Sequence, residues 1–210
     1  METSRIAELL QPFLAGSDLS PAQLDSISTY IDLLHRWNAR INLTSVRQPE
    51  AIVTRHFGES LFAARHLFPE LGLPASLIDV GSGAGFPGVP IKLWAPQVHL
   101  TLIESNHKKV AFLRQLARTL ALTCVDMFPG RAEAYDGPSA DVVTLRAVER
   151  FPLIAPTAAR LVAPGGRLAL LVGQAQVTQA KELLPSTTWE APASLPLSSS
   201  RVLLVGRFGR

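Results

Sequence analysis

The sequence predicts an α/β protein, a mostly parallel sheet behind a run of helices, on three observations. The first seventy residues carry apolar side chains at three- and four-residue spacing, the periodicity of amphipathic helices. After Pro74, short apolar and β-branched runs alternate with helical patterns, as the crossover connections of a parallel sheet require. The first of those runs, Leu77-Ile78-Asp79-Val80, passes straight into a glycine-dense turn, Gly81-Ser82-Gly83-Ala84-Gly85-Phe86-Pro87-Gly88, and then a helix.

In chain order, Ile6, Leu9, Leu10 and Phe13 mark a helix over 6–14. Ser20, with Pro21 at the first helical position, opens a second. Its apolar stripe runs through Leu24, Ile27, Ile31, Leu34, Trp37 and Ile41. A third helix follows Pro49, over about 50–67, and buries Ile52, Phe57, Leu61 and Phe62. Strands are expected at about 76–81, 98–104, 122–126, 140–145 and 167–172, with a late pair near 187–190 and 202–207. Between them, 107–120 is the clearest helix, with Val110, Phe112, Leu113 and Leu116 on its apolar side and Lys108, Lys109, Arg114 and Arg118 on its basic side. A helix over 151–162 stops at Pro164-Gly165-Gly166, and a weaker one covers 177–184. Residues 185–200 read as a Pro/Ser-rich loop or edge. The chain thus divides into a helical extension, 1–70, and a sheet core, 71–210, in one compact domain.

Composition narrows the function classes. The chain of 210 residues has room for one domain, and 47% apolar against 18% charged residues excludes a disordered chain. A net charge of +3 permits nucleic-acid contact without demanding it. The single cysteine, Cys124, excludes an internal disulfide and a multi-cysteine metal site and fits a reducing compartment, so the cytoplasm is the expected location. Cys124 itself falls in the expected third strand and reads as a buried, inert thiol. Glu2, Arg5 and Glu8 interrupt the apolar content of the N-terminus, so no secretory signal is expected, and no long uncharged apolar run suggests a membrane span. No histidine spacing suits a metal, and nothing marks an obligate protein partner.

The glycine turn brings backbone close to a ligand. Gly83-Ala84-Gly85-Phe86-Pro87-Gly88 matches the dinucleotide pattern G-x-G-x-x-G, but three features favour S-adenosyl-L-methionine (SAM). Asp79 ends the strand just before the glycines, where its charge suits an ammonium and a sulfonium and repels a pyrophosphate. Pro87 removes a backbone N–H near the helix start, which weakens an anion cradle. An oxidoreductase would also need a substrate domain, for which no residues are left. Asp79, Gly81, Gly83 and Gly85 are therefore candidate cofactor residues, together with Glu104, the acid at the end of the second strand that suits a pair of ribose hydroxyls.

Taken together, Trp37-Asn38-Ala39-Arg40-Ile41-Asn42-Leu43-Thr44, Arg55-His56-Phe57, the segment Asp79 to Gly88, Glu104-Ser105-Asn106-His107-Lys108-Lys109, Arg131-Ala132-Glu133 and Arg146-Ala147-Val148 resemble a bacterial family. It is the RsmG type of small-subunit ribosomal RNA guanine-N7 methyltransferases, also called glucose-inhibited division protein B, and the resemblance runs over about 33–173. It implies a class I SAM-dependent methyltransferase fold, Rossmann-like, with a mostly parallel seven-stranded sheet and an N-terminal helical extension. It implies 16S rRNA as substrate, within the small ribosomal subunit or its assembly intermediate. By the same resemblance Gly81 and Phe86 line the SAM site, Glu104, Ser105 and Asn106 hold the ribose, and Ala132 and Glu133 flank the adenine. Arg146 stands beside the transferring methyl, and Lys108, Lys109 and Arg131 face RNA. The chain departs from the family pattern in Glu59-Ser60, where members often carry Asp-Ser, in Val172-Gly173, where Lys-Gly is common, and in a short tail.

The residues narrow the acceptor independently. Cys124 is no candidate nucleophile for pyrimidine C5, and the end of the fourth strand reads Thr144-Leu145-Arg146-Ala147 rather than the Asp/Asn-Pro-Pro-aromatic segment of adenine amino methyltransferases. Guanine N7 carries a lone pair and no proton, so attack on a sulfonium methyl needs alignment and no base. A bidentate arginine contact to O6 and N7 would block that lone pair, so Arg146 is expected to hold O6 or a phosphate. The alternative is a structural ion pair with a carboxylate such as Glu149. Arg36, Arg40, Arg47, Arg55 and His56, with the basic side of helix 107–120, make a phosphate footprint if they share a face and a solvated surface if they do not. Trp37, Asn38 and Asn42 read as packing and capping residues. Three other functions stay open: a SAM methyltransferase with another substrate, a non-catalytic RNA or ribosome-assembly factor, and, more remotely, a nicotinamide oxidoreductase.

Overall fold

The computed structural model describes residues 1–73, 75–148 and 150–209. Pro74, where the sequence texture changes, and Glu149, the alternative partner of Arg146, lie outside the described residues. Helices α1 (Thr3–Leu14) and α2 (Pro21–Asn38) open the chain. Ser20 Oγ accepts from Gln23 N (3.3 Å) while Gln23 Oε1 accepts from Ser20 N (2.8 Å), so a reciprocal capping box fixes the start of α2 where Ser20 and Pro21 predict it. The third expected helix is built in three pieces: α3 (Pro49–Ile52), a π-helical turn (Val53–Gly58) and α4 (Glu59–Leu67). The wide turn carries Arg55 and His56, and such turns are common at functional sites.

The strands are β1 (Ser76–Val80), β2 (His99–Ile103), β3 (Val125–Phe128), β4 (Ala140–Arg146), β5 (Val162–Gly173), β6 (Thr188–Trp189), β7 (Ala193–Ser194) and β8 (Arg201–Arg207). They form one sheet in the order β3-β2-β1-β4-β5-β8-β6, with β7 also paired to β8. Pairing is parallel from β3 to β5, and β8 is antiparallel. Among the described residues the sheet therefore has eight strands where seven are expected. β6 and β7 both pair with β8 and are separated by Glu190-Ala191-Pro192. Pro192 lacks the N–H a ladder needs, and the seventh position is occupied by two short pieces. Helices α5 (Gly88–Trp94), α6 (His107–Thr119), α7 (Phe151–Arg160) and α8 (Gln176–Leu183) fill the connections.

One further expectation is corrected. β3 begins at Val125 instead of 122, because Leu122 N still donates to Ala117 O (2.9 Å) at the end of α6. Cys124 consequently sits in the turn before the strand at φ 53° and is exposed, not a buried core thiol.

Alternation along β1 divides the interior, since neighbouring residues point to opposite faces. Leu77 joins the cluster that holds Ile6, Leu10, Phe13, Tyr30, Phe57 and Phe112, whereas Ile78 and Val80 join Val143, Leu145, Phe151 and Ala155 on the α7 face. Helices α1 and α2 thus bury their apolar sides in the same cluster as α6, and each fully buried Leu or Phe there contributes about 1.5–3 kcal/mol. Among the described residues no helix is long and apolar enough to cross a membrane.

Candidate active site

Strand order reverses between β1 and β4, and open α/β sheets form a crevice beyond the carboxyl ends of their strands at such a point. The glycine turn lies there, held from two sides. On the sheet side Gly81 N and Ser82 N donate to Ile103 O (2.9 and 3.0 Å). Glu104 Oε2 accepts from Gly83 N (2.9 Å) and Oε1 from Asn106 N (2.7 Å), so one buried carboxylate ties the turn to the start of α6. On the helical side the Tyr30 hydroxyl donates to Ala84 O, and its ring stacks on Phe86 at 5.1 Å. Gly85 has φ 90°, and a Cβ there would lie 2.5 Å from that hydroxyl. Tyr30 is absent from the sequence-predicted site; its sole signal is a hydroxyl on the buried side of an amphipathic helix.

Asp79 takes a different place from the expected one. Its carboxyl is buried behind the turn, where it accepts from Thr144 Oγ1 (2.8 Å) and Gly88 N (3.2 Å). Burial pushes it up to about 7 against these hydrogen bonds. It lines neither cavity described below, so the argument that set its charge against a cationic ligand is corrected: the side chain supports the turn. A Cβ at position 88 would come within 2.8 Å of its Oδ2, which accounts for glycine there.

Two cavities meet over the turn and share Gly81 and Val148. One, about 330 Å³, is lined by Glu104, Ser105, Arg131, Ala132, Glu133 and Ile154 among others. The second, about 660 Å³, is walled by Asn42 to Val46, by Gly83, Ala84 and Phe86 of the turn, and by four cationic side chains, Arg55, Lys109, Arg146 and Arg201. The sequence-predicted residues are therefore separated. Glu104, Ser105, Ala132 and Glu133 share the smaller cavity, and Arg131, read as an RNA residue, joins them. Phe86, Gly83, Arg146, Arg55 and Lys109 share the larger, and Gly81 serves both. Gly85 packs under Tyr30, Asn106 caps α6 by accepting from Lys108 N and Lys109 N (3.0 and 3.2 Å), and Lys108 and Arg40 are exposed outside both cavities.

Arg146 sits at the end of β4 with its side chain 7% exposed. Its Nη2 faces Arg55 O (2.7 Å), His56 Nδ1 (3.0 Å) and Glu59 Oε2 (3.1 Å). The same Glu59 oxygen pairs with Arg201 (2.8 Å). The carboxylate partner of Arg146 is thus Glu59, and Nε of Arg146 is buried without a hydrogen-bond partner among the described residues. Because a guanidinium only donates, His56 Nδ1 accepts and Nε2 carries the proton toward Thr44 Oγ1 at 2.8 Å. Asn38 completes the wall by accepting from Leu43 N and Thr44 N (2.9 and 3.0 Å), as a packing residue, and Trp37 donates to Gln115 (2.9 Å). Asn42, by contrast, is exposed at the cavity wall and is no packing residue. Arg201, Glu59 and Thr44 are site residues that the sequence reading does not single out as such.

Burial, reinforced by the guanidiniums of Arg146, Arg55 and Arg201, lowers His56 to about 3. Between that value and 6.5 the unfolded chain binds the extra proton, so stability from His56 is full above 6.5 and falls as pH drops, by at most about 1.4 kcal/mol per unit. Asp79, raised above its unfolded 3.8, contributes the opposite slope, with stability lost as pH rises toward 7. The two offset each other in bulk unfolding from 3.8 to 6.5, and an NMR titration reads His56 directly. The imidazole is expected to stay neutral down to about pH 4, and an inflection near 6.5 would show that burial and the neighbouring guanidiniums do not hold it neutral.

The chain matches the family described as rRNA small subunit methyltransferase G over residues 23–198. It is 38% identical over 169 residues to a ribosomal RNA small subunit methyltransferase G of Xanthomonas oryzae pv. oryzae, covering 80% of this chain and 77% of that one. To the protein of the same name from Stenotrophomonas maltophilia it is 37% identical over 194 residues, 92% and 88% of the two chains. Among solved structures it is similar to magnesium protoporphyrin IX methyltransferase from Synechocystis with bound SAM, with TM-score 0.66 and 15% identity over 88% of this chain and 98% of that one. A SAM-dependent methyltransferase from Aquifex aeolicus gives TM-score 0.61 at 12% identity, over 75% and 93%. These distant structures show the fold, the Rossmann-like class I methyltransferase architecture. With sequence matches that span most of both chains, the protein belongs to the rRNA small subunit methyltransferase G family.

Proposed function

We propose that this protein transfers a methyl group from SAM to N7 of a guanine in 16S rRNA. The observation that carries the reading is the junction of two chemically different cavities over Gly81, one where Glu104 and Glu133 stand beside Arg131 and Arg150, the other with Arg55, Lys109, Arg146 and Arg201 and no carboxylate among its described lining residues. The smaller cavity fits the cofactor. Ile103, Ala132 and Ile154 offer apolar walls for an adenine, Ser105 and Glu104 offer polar groups for a ribose, and Gly81 leaves the backbone open to close approach. When bound, the cofactor supplies an electrophilic sulfonium methyl. The residues of the larger cavity orient the acceptor and exclude water: its cations suit the phosphates of a nucleotide, and Arg146 holds O6 or a phosphate while leaving N7 bare. No group needs to remove a proton, in keeping with a cavity whose one histidine is held neutral and facing an arginine.

Lys108, Lys109, Arg131, Arg40 and Arg55 serve as RNA contacts in this reading, and the substrate is the RNA within the small subunit or its assembly intermediate, in the cytoplasm. Residues 1–70 act as a helical extension to the core 71–210, which share the cluster containing Phe13, Tyr30, Leu77 and Phe112. The test is transfer of a labelled SAM methyl to small ribosomal subunits lacking the modification, followed by digestion. Label in 7-methylguanosine is expected. Absence of label with SAM binding intact would replace this reading with another substrate or a non-catalytic role.

A further inference from the structure

We propose that Tyr30 is a positioning residue for the cofactor turn, so that affinity for SAM is set partly by a helix of the N-terminal extension. The inference rests on the reading of the smaller cavity and the turn as the SAM site. Tyr30 itself lines neither cavity and acts through two residues that line the larger one, Ala84 and Phe86.

The middle of the turn, Gly83-Ala84, is held by two side chains from outside it. Glu104 takes the Gly83 N–H on the sheet side, and the Tyr30 hydroxyl takes the Ala84 carbonyl from α2, fifty-four residues away in sequence. Both Tyr30 and Ala84 are buried, so water does not replace that hydrogen bond when it is lost. Burial raises the phenol well above its ordinary value, and it remains a donor throughout the working pH range. The hydroxyl reaches its seat because residue 85 has no side chain. The ring supplies a second hold: it lies parallel to Phe86, 6° between planes, and Phe57 stands edge-on to both at 5.0 and 5.1 Å. A hydrogen bond to one residue and a stacked ring on the next-but-one fix the direction in which the intervening turn faces, the preorganisation that lowers the entropic cost of binding.

Tyr30→Phe keeps the ring and removes the hydroxyl. The expected result is a rise in the Kd and KM for SAM of about three- to tenfold, with kcat at saturating SAM changed less than about twofold. Leu10→Ala, in α1, which packs on α2, the π-helical turn and α4, is expected to lower the melting temperature and leave the SAM constants alone, separating positioning from general destabilisation. If the wild-type protein binds SAM and Tyr30→Phe binds it equally well, Tyr30 does not position the turn. If Leu10→Ala weakens SAM binding as much as Tyr30→Phe does, the effect is one of stability and the inference fails. If the wild type does not bind SAM, the cofactor reading itself is wrong.

Discussion

Arg146→Ala is expected to lower methyl transfer to the small subunit at least about tenfold, equivalent to about 1.4 kcal/mol of transition-state stabilisation, while SAM still binds. The separation follows from placement. Arg146 lines only the larger cavity, and the smaller one, with Glu104 and Ala132, lies on the other side of Gly81 and Val148. The variant should also fold, because Glu59 retains Arg201 as partner at 2.8 Å. Arg146→Lys is not expected to restore activity: an ammonium that takes the place of Nη2 against Arg55 O, His56 Nδ1 and Glu59 leaves no second donor nitrogen for the acceptor base or phosphate. Single-turnover rates at saturating SAM, with calorimetry for binding, decide the matter, and an unchanged rate would remove Arg146 from the reaction.

Glu59→Ala should destabilise the protein by about 3–5 kcal/mol, the range for breaking a buried ion pair from one side. For a chain of this size that lowers the melting temperature by about 6–20 °C. The carboxylate is 4% exposed and one oxygen faces two guanidiniums, Arg146 at 3.1 Å and Arg201 at 2.8 Å; removing it leaves two like charges side by side with little water. Turnover should fall as well, since Arg146 loses an orienting acceptor. Thermal unfolding followed by circular dichroism measures the first effect, and a shift below about 2 °C would show that solvent or another acid already neutralises the pair. The family's common Asp at this position is one methylene shorter, and the Glu of this chain does serve as an acid here, bridging two arginines.

Much of this was legible in the sequence, for reasons that differ by element. Ser20 and Pro21 announce the start of α2 because a cap is a local hydrogen-bonding problem solved within four residues. The glycine turn is legible because close backbone approach excludes side chains. The start of β3 is not legible because an edge strand is only half buried and its apolar pattern is weak, and Cys124, expected within it, stays outside the core. Val172 stands where Lys is common in the family, and its neighbour Gly173 pairs in register with Arg201 on β8, which brings a cation to the same cavity.

By itself, then, the sequence determined the fold class, the glycine turn, the acid at the end of β2 and the family, all of which are written in periodicity and contiguous motifs. The tertiary structure alone decided which charges act together. Glu59, Arg146 and Arg201 come from a helix and two strands far apart in the chain, and Tyr30 meets Ala84 across fifty-four residues. It also decided that Asp79 supports the turn from behind. A carboxylate's role is set by what lies within about 3 Å of its oxygens, and no spacing along a chain specifies that neighbourhood until the sheet and helices have packed.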